Sequence, residues 1–152
     1  MIFAIIPNLT RRNAAGVTRL ICGRLDELGA AYSLPLDTKE VFSDTKAVFL
    51  PEKELLESCE AVITVGGDGT IIPSAKKAAV YSKPVLGINA GRLAFMAGLE
   101  IHELDLLEKL ITGDYSMDKR MMLKTTATDG DRVQSGYNMN DSTVMRPSRL
   151  SK

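Results

Sequence analysis

The sequence lacks several features that mark whole classes of proteins. Its 152 residues contain one histidine and two cysteines, and no apolar run approaches the ~20 residues that span a bilayer. The single histidine, His102, leaves little room for histidine-based catalysis. Cys22 and Cys59 stand apart, without metal-site spacing, as is typical of buried thiols in a reducing cytosol. We therefore expect a globular cytoplasmic protein.

An excess of charge of either sign is also missing. The chain has 19 Lys and Arg against 19 Asp and Glu, a net charge of 0. Proteins that bind a phosphate backbone normally carry a basic excess. Met1–Ile6 is apolar, but the run is short, lacks a cationic flank and ends at Pro7. This pattern differs from that of a signal peptide. We expect neither a nucleic acid nor a membrane as partner.

Short apolar runs alternate with helical patterns through residues 1–118. The predicted strands are Phe3–Ile6, Ala31–Leu34, Ala61–Val65 and Val85–Ile88. The first predicted helix is capped by Asn8 or Thr10 and has an apolar stripe at Val17, Leu20, Ile21, Leu25 and Leu28. The other predicted helices are Glu52–Ser58, Ile71–Val80 and His102–Thr112. This alternation predicts an α/β fold with an open, mostly parallel sheet and flanking helices, Rossmann-like, as a nucleotide-binding domain.

Residues 119–152 have a different pattern. Met121–Thr128 and Arg132–Tyr137 are alternating runs joined through Asp129-Gly130-Asp131, which predicts a β-hairpin. Ser142–Met145 is a candidate third strand. We expect residues 119–152 to be the first strands of an incomplete, truncated all-β domain.

A glycine-rich turn, Gly66-Gly67-Asp68-Gly69-Thr70, joins the strongest predicted strand to a helix. Glycines let backbone N–H groups approach a phosphate, and the helix N-terminus adds partial positive charge. No Gly-Lys-Ser/Thr closes the loop, so it is not a Walker A motif. A plain alternative is a tight turn whose aspartate bonds nearby backbone. Because a carboxylate repels phosphate, Asp68 is better suited to accept a hydroxyl proton or to hold Mg²⁺.

Two further stretches carry groups suited to a nucleotide. Residues 87–96 again follow a strand and contain Asn89, Arg92 and Phe95, which offer an amide, a guanidinium fork and an aromatic wall. The alternative places Phe95 in the core and Arg92 on the surface. The pair Asn140-Asp141 suits ribose hydroxyls, with a simple turn as its alternative.

Together the three stretches resemble NAD kinases. Gly-Gly-Asp-Gly-Thr at 66–70, Gly-Ile-Asn-Ala-Gly-Arg-Leu-Ala-Phe-Met at 87–96 and Asn-Asp at 140–141 follow that family's order and approximate spacing. The first motif is shared with diacylglycerol and sphingosine kinases and, in related form, with phosphofructokinases. Those lipid kinases typically follow it with Asn-Glu, whereas this chain has Ile71-Ile72-Pro73. A lipid kinase is therefore the weaker interpretation.

The resemblance implies a reaction: phosphoryl transfer from ATP or polyphosphate to the 2′-hydroxyl of the adenosine ribose of NAD, giving NADP. It implies Mg²⁺ with the nucleotide, no dedicated metal-ligating residue, and a homo-oligomer, either a dimer or a tetramer. The implied catalytic base is Asp68. The implied binding residues are Gly67, Gly69, Thr70, Asn89, Arg92, Phe95, Asn140 and Asp141.

The chain departs from the family pattern in three respects. Ala90 and Ala94 stand where other small residues are expected, the second usually glycine. Position 141 is aspartate, where glutamate is commoner in the family. Family members also continue well beyond Lys152 into a β domain. The alternative function is therefore a catalytically incompetent nucleotide-binding fragment or assembly module of such an enzyme.

Overall fold

The first part of the chain forms one five-stranded parallel sheet. The computed structural model describes residues 1–91, 94–129 and 132–139. In chain order the strands are β1 (Ile2–Pro7), β2 (Ala31–Pro35), β3 (Val48–Leu50), β4 (Ala61–Gly66) and β5 (Val85–Asn89). Their order across the sheet is β3-β2-β1-β4-β5, and all four pairings are parallel. The predicted open, Rossmann-like α/β fold is confirmed.

Four α-helices accompany these strands: α1 (Ala14–Glu27), α2 (Glu52–Ser58), α3 (Asp68–Val80) and α4 (Leu107–Thr112). Two 3₁₀ segments, Leu36–Thr38 and Ile101–Leu106, lie after β2 and before α4. Within the described ranges, no helix combines the length and apolar character needed to cross a membrane.

The connections run in opposite directions from the centre of the sheet. From β1 the chain moves outward to β2 and β3, then returns to the other side of β1 for β4 and β5. The switch of direction lies between β1 and β4, which pair from Phe3↔Ala61 to Pro7↔Val65. Open α/β sheets bind ligands in the crevice at the carboxyl ends of such strands.

Alternate residues of the central strands enter two separate cores, because successive side chains of a strand point to opposite faces. Phe3 and Ile5 of β1 pack with Ile21 and Leu25 of α1. The intervening Ala4 belongs to a second cluster, whose other buried members are Leu55, Leu56, Cys59, Val62 and Ala78. The sheet is thus covered on both faces, which explains why its strands read as continuous apolar runs.

Helix α1 differs from its prediction at the N-terminus and on one face. It begins at Ala14 with Asn13 as N-cap, so the predicted caps Asn8 and Thr10 are wrong. Leu20 is 57% exposed and does not belong to the apolar stripe. The buried face instead includes small and polar side chains, which apolar periodicity does not reveal. Its members are Ala14, Val17, Thr18, Ile21, Cys22 and Leu25.

Helix α3 starts earlier than its apolar pattern indicates. It begins at Asp68 rather than Ile71, with Gly67 as N-cap. Pro73 therefore lies in the second turn of the helix. Because proline has no N–H, position 73 gives no bond to the carbonyl of Gly69, four residues earlier. Residues 68–70 of the glycine-rich motif are thus part of the helix itself.

The segment after residue 117 forms its own unit. Contacts between residues divide the chain into Met1–Met117 and Asp118–Lys152. Strands β6 (Leu123–Asp129) and β7 (Arg132–Asn138) pair antiparallel, from Leu123↔Asn138 to Asp129↔Arg132. The predicted hairpin is confirmed. The predicted strand Ser142–Met145 lies outside the described residues.

Both cysteines are buried, each with 1% of its surface exposed. Burial raises the pKa of the Cys22 thiol to about 11 and that of Cys59 above its ordinary value. Since the thiolate is the reactive species, we predict that neither thiol reacts with a chromogenic disulfide reagent in the native protein at mildly alkaline pH. Both should react in denaturant. Rapid native labelling of one equivalent would contradict this burial.

Candidate nucleotide-binding site

A cleft opens at the carboxyl edge of the sheet, where the chain direction switches. It has a volume of about 360 Å³. Asn8, directly after β1, reaches across this edge: its backbone N–H donates to the carbonyl of Val65 in β4 at 3.0 Å. Two predicted binding residues, Gly69 and Thr70, lie in the wall of the cleft. The polar residues of the lining are Asn8, Thr10, Asp37, Thr38, Thr70 and Ser74.

The glycines of the 66–70 turn serve different purposes. A Cβ at Gly66 would lie 2.5 Å from the Thr70 hydroxyl oxygen and 2.7 Å from the Thr70 Cβ, so packing requires glycine there. At Gly67 and Gly69 a Cβ would meet no described atom within 4 Å. Packing among the described residues therefore does not require glycine at these two positions. Open space beside a backbone is what close approach of a ligand needs.

The first turn of α3 presents backbone donors near this space. The N–H groups of Thr70 and Ile71 donate to the carbonyl of Gly67 at 2.8 and 3.0 Å. The N–H groups of Asp68 and Gly69 are the first two of the helix. They lie at the positive end of the helix dipole, where N–H groups have no acceptor within the helix. An anion that reached Gly69 through the cleft would meet partial positive charge.

Asp68 connects the two glycine-rich motifs. Its carboxylate accepts hydrogen bonds from the backbone N–H groups of Phe95 at 3.2 Å and Met96 at 2.9 Å, one on each oxygen. A side chain in the first turn of α3 thus holds the loop after β5. The plain alternative, an aspartate that bonds backbone, is partly correct, although the backbone is 27 and 28 residues away. A carboxylate has about four acceptor positions, so these two bonds leave room for a third donor.

Asn89 secures the base of the same loop. The side chain is 2% exposed, and its Nδ2 donates to the two carboxylate oxygens of Glu100 at 3.0 and 3.1 Å. Its Oδ1 accepts the N–H of Gly91 at 2.9 Å. The amide is thus engaged within the chain at both ends. That Asn89 contacts a ligand stays a prediction.

The other predicted binding residues fall into two groups. Phe95 is 82% exposed, so the alternative that placed it in the core is wrong. A large exposed aromatic ring beside the Asp68 bonds is accessible to a planar ligand. Arg92, Asn140 and Asp141 lie outside the described residues, and their roles stay predictions.

Sequence reasoning missed five polar residues of the cleft lining: Asn8, Thr10, Asp37, Thr38 and Ser74. The helical pattern that follows Asn8 predicts a helix cap at this residue. The signal that could have identified it is its position immediately after the first strand, at the edge where a ligand binds. Asp37 lies in a stretch whose sequence has no clear periodicity, so no pattern indicated it.

The carboxylates of the described residues do not form a metal cage. No group of three or more His, Cys, Asp or Glu that could hold a metal ion occurs in ranges 1–91, 94–129 and 132–139. Mg²⁺ is commonly held by one or two carboxylates together with substrate phosphates and water. Among the described residues that line the cleft, Asp37 is the one carboxylate, which fits an ion that arrives with a nucleotide.

Comparison with known proteins identifies the family. Residues 24–115 match the model of the ATP-NAD kinase N-terminal domain, which is more than half of the chain. The chain belongs to the NAD kinase family. It is 34% identical over 123 residues to the NAD kinase of Natranaerobius thermophilus, covering 80% of this chain and 43% of that protein. For the NAD kinase of Heliobacterium modesticaldum the identity is 31% over 147 residues, covering 93% and 50%.

A solved structure shares the fold. The crystal structure of yeast NADH kinase complexed with NADH superposes with a TM-score of 0.77 at 17% identity, covering 91% of this chain and 46% of that one. The chain spans about half the length of the curated NAD kinases that it matches.

The two kinds of glycine in the turn can be separated by substitution. We predict that Gly66→Ala lowers the free energy of unfolding by about 1–3 kcal/mol, because the added methyl overlaps Thr70. Gly69→Ala, in open space within a helix, should preserve stability or raise it by up to about 1 kcal/mol. It should nevertheless weaken MgATP binding, since its methyl enters the cleft.

Denaturant unfolding and calorimetric titration with MgATP measure the two effects. The matched glycine variants serve as controls for each other. Unchanged MgATP affinity in Gly69→Ala would show that this glycine does not face the nucleotide.

Proposed function

We propose that this chain forms the nucleotide-binding part of an NAD kinase, which transfers a phosphoryl group from ATP or polyphosphate to the 2′-hydroxyl of the adenosine ribose of NAD. Family membership supports phosphorylation of NAD in general. The observation that carries the specific proposal is the pair of bonds from Phe95 and Met96 to Asp68. They bring the phosphate-loop motif and the motif with an exposed aromatic ring to one place.

The proposed chemistry assigns the proton to Asp68. Its carboxylate takes the proton of the 2′-hydroxyl as that oxygen attacks the γ-phosphorus, and the bond from phosphorus to the leaving ADP oxygen breaks. Phosphoryl transfer needs little beyond positioning and charge stabilisation, so one base and a backbone cradle suffice. Gly67, Gly69 and Thr70 face the phosphates in this proposal, and Phe95 lines the adenine pocket.

Magnesium accompanies ATP in the proposed reaction, where it screens the charge of the phosphates. Asp37 is the carboxylate of the cleft that would hold it together with phosphate oxygens. We further propose that Arg92 and Asn89 serve the nucleotide, that Asn140 and Asp141 hold the ribose groups of NAD, and that the protein is cytoplasmic and works as a dimer or tetramer.

Asp68→Asn tests the base. We predict that NADP formation from NAD and MgATP falls about a hundredfold or more, because an amide cannot accept the hydroxyl proton. The substitution also disturbs the loop, since an amide has one acceptor oxygen for the two N–H groups of Phe95 and Met96. A second variant is therefore needed to separate the two effects.

Glu100→Leu loosens the same loop without touching Asp68, because it removes the carboxylate that holds Asn89. It should raise KM more than it lowers kcat, whereas Asp68→Asn should lower kcat. If both variants lose activity to the same small extent, Asp68 only anchors the loop and is not the base. If the unsubstituted chain binds MgATP but forms no NADP, the alternative holds: a nucleotide-binding unit whose turnover needs residues outside this chain.

A further inference from the structure

Asn8 makes a set of hydrogen bonds that fixes the orientation of its amide. Its Oδ1 accepts from the backbone N–H of Thr10 at 3.1 Å and from the Thr10 hydroxyl at 2.7 Å. A backbone N–H can only donate, so the atom of Asn8 that faces it must be the oxygen. The amide nitrogen therefore faces the other way, toward α3.

On that side the amide meets Thr70. The Nδ2 of Asn8 donates to the Thr70 hydroxyl oxygen at 2.7 Å, across 62 residues of sequence. An amide nitrogen has no acceptor capacity, so Thr70 must accept in this bond. The hydroxyl proton of Thr70 is consequently directed elsewhere. In the described part of the chain, Thr70 donates that proton to no protein acceptor.

The surroundings of Thr70 indicate which kind of acceptor can receive its hydroxyl proton. Its hydroxyl oxygen packs against Gly66, where an added Cβ would lie 2.5 Å away. The Thr70 side chain is therefore held against the backbone of Gly66. Asn8, Thr10, Gly69 and Thr70 all line the cleft of about 360 Å³. An acceptor from outside the chain, entering this cleft, would find a donor already oriented.

We propose that Asn8 is a positioning residue that acts through Thr70: by donating to the Thr70 hydroxyl oxygen, it makes that hydroxyl an obligatory donor to a phosphate oxygen of the phosphoryl donor. The inference rests on the proposed function and extends it to a residue of the first strand–helix connection. A free threonine hydroxyl can rotate and act as donor or acceptor, so without Asn8 part of its population would present a lone pair to an anion.

A double-mutant cycle on the full 152-residue chain tests this, with MgATP as the probe in calorimetric titrations. Asn8→Ala and Thr70→Val should each weaken MgATP binding by roughly tenfold, as expected for one hydrogen bond to a charged group. The double variant should bind no more weakly than either single variant. Thr70→Ser, which keeps the hydroxyl, should bind within about twofold of the unsubstituted chain.

Asn13→Ala is the matched control. Asn13 lies in the same connection, is exposed, and makes no side-chain cap hydrogen bond. It should leave MgATP affinity unchanged. Thermal unfolding midpoints of all variants show whether the fold is kept.

Three results would overturn the inference while leaving the proposed function intact: unchanged MgATP affinity in Asn8→Ala, losses that multiply in the double variant, or equal affinity of Thr70→Ser and Thr70→Val. In the last case Asn8 serves the fold rather than the ligand. If the unsubstituted chain does not bind MgATP, the proposed phosphate site itself fails, and this inference fails with it.

Discussion

The bond pair between the Asp68 carboxylate and the backbone of Phe95 and Met96 is the constraint on which the rest of the site depends. It ties the first turn of α3 to a loop that begins at the end of the neighbouring strand. Asn89 and Glu100 hold the same loop at its base. The pairing of β4 with β5, which reaches Gly66↔Asn89, and the N–H of Ala90, which donates to the Gly66 carbonyl at 3.3 Å, join the same two motifs through their backbones.

A second constraint comes from the order of the strands. Because the chain returns to the far side of β1 before forming β4, the ends of β1 and β4 lie side by side. Asn8 follows one of them and the 66–70 turn follows the other. Residues 62 positions apart are therefore hydrogen-bonded neighbours, and the cleft between them contains both backbone and side-chain donors.

Much of the fold and part of the site could be predicted from the sequence, for reasons that are local. Strands such as β4, buried on both faces, give continuous β-branched runs, and the hairpin of β6 and β7 is indicated by its Asp-Gly turn. The Gly-Gly-Asp-Gly-Thr motif likewise located the connection between β4 and α3, and its binding of phosphate stays a prediction. The first residues of a helix were harder to predict from the sequence. Asp68 and Gly69 have the composition of a loop, and the apolar pattern of α3 begins only at Ile71.

The sequence by itself determined the parallel α/β sheet, the hairpin, and the resemblance that the family match supports, because each depends on residues close together in the chain. Tertiary structure alone decided what Asp68 and Asn8 contact. Asp68 reads as a group for a ligand and is also a loop anchor. Asn8 reads as a helix cap and instead donates to Thr70. Hydrogen-bonding side chains have many suitable partners, and only the packing of distant segments selects among them.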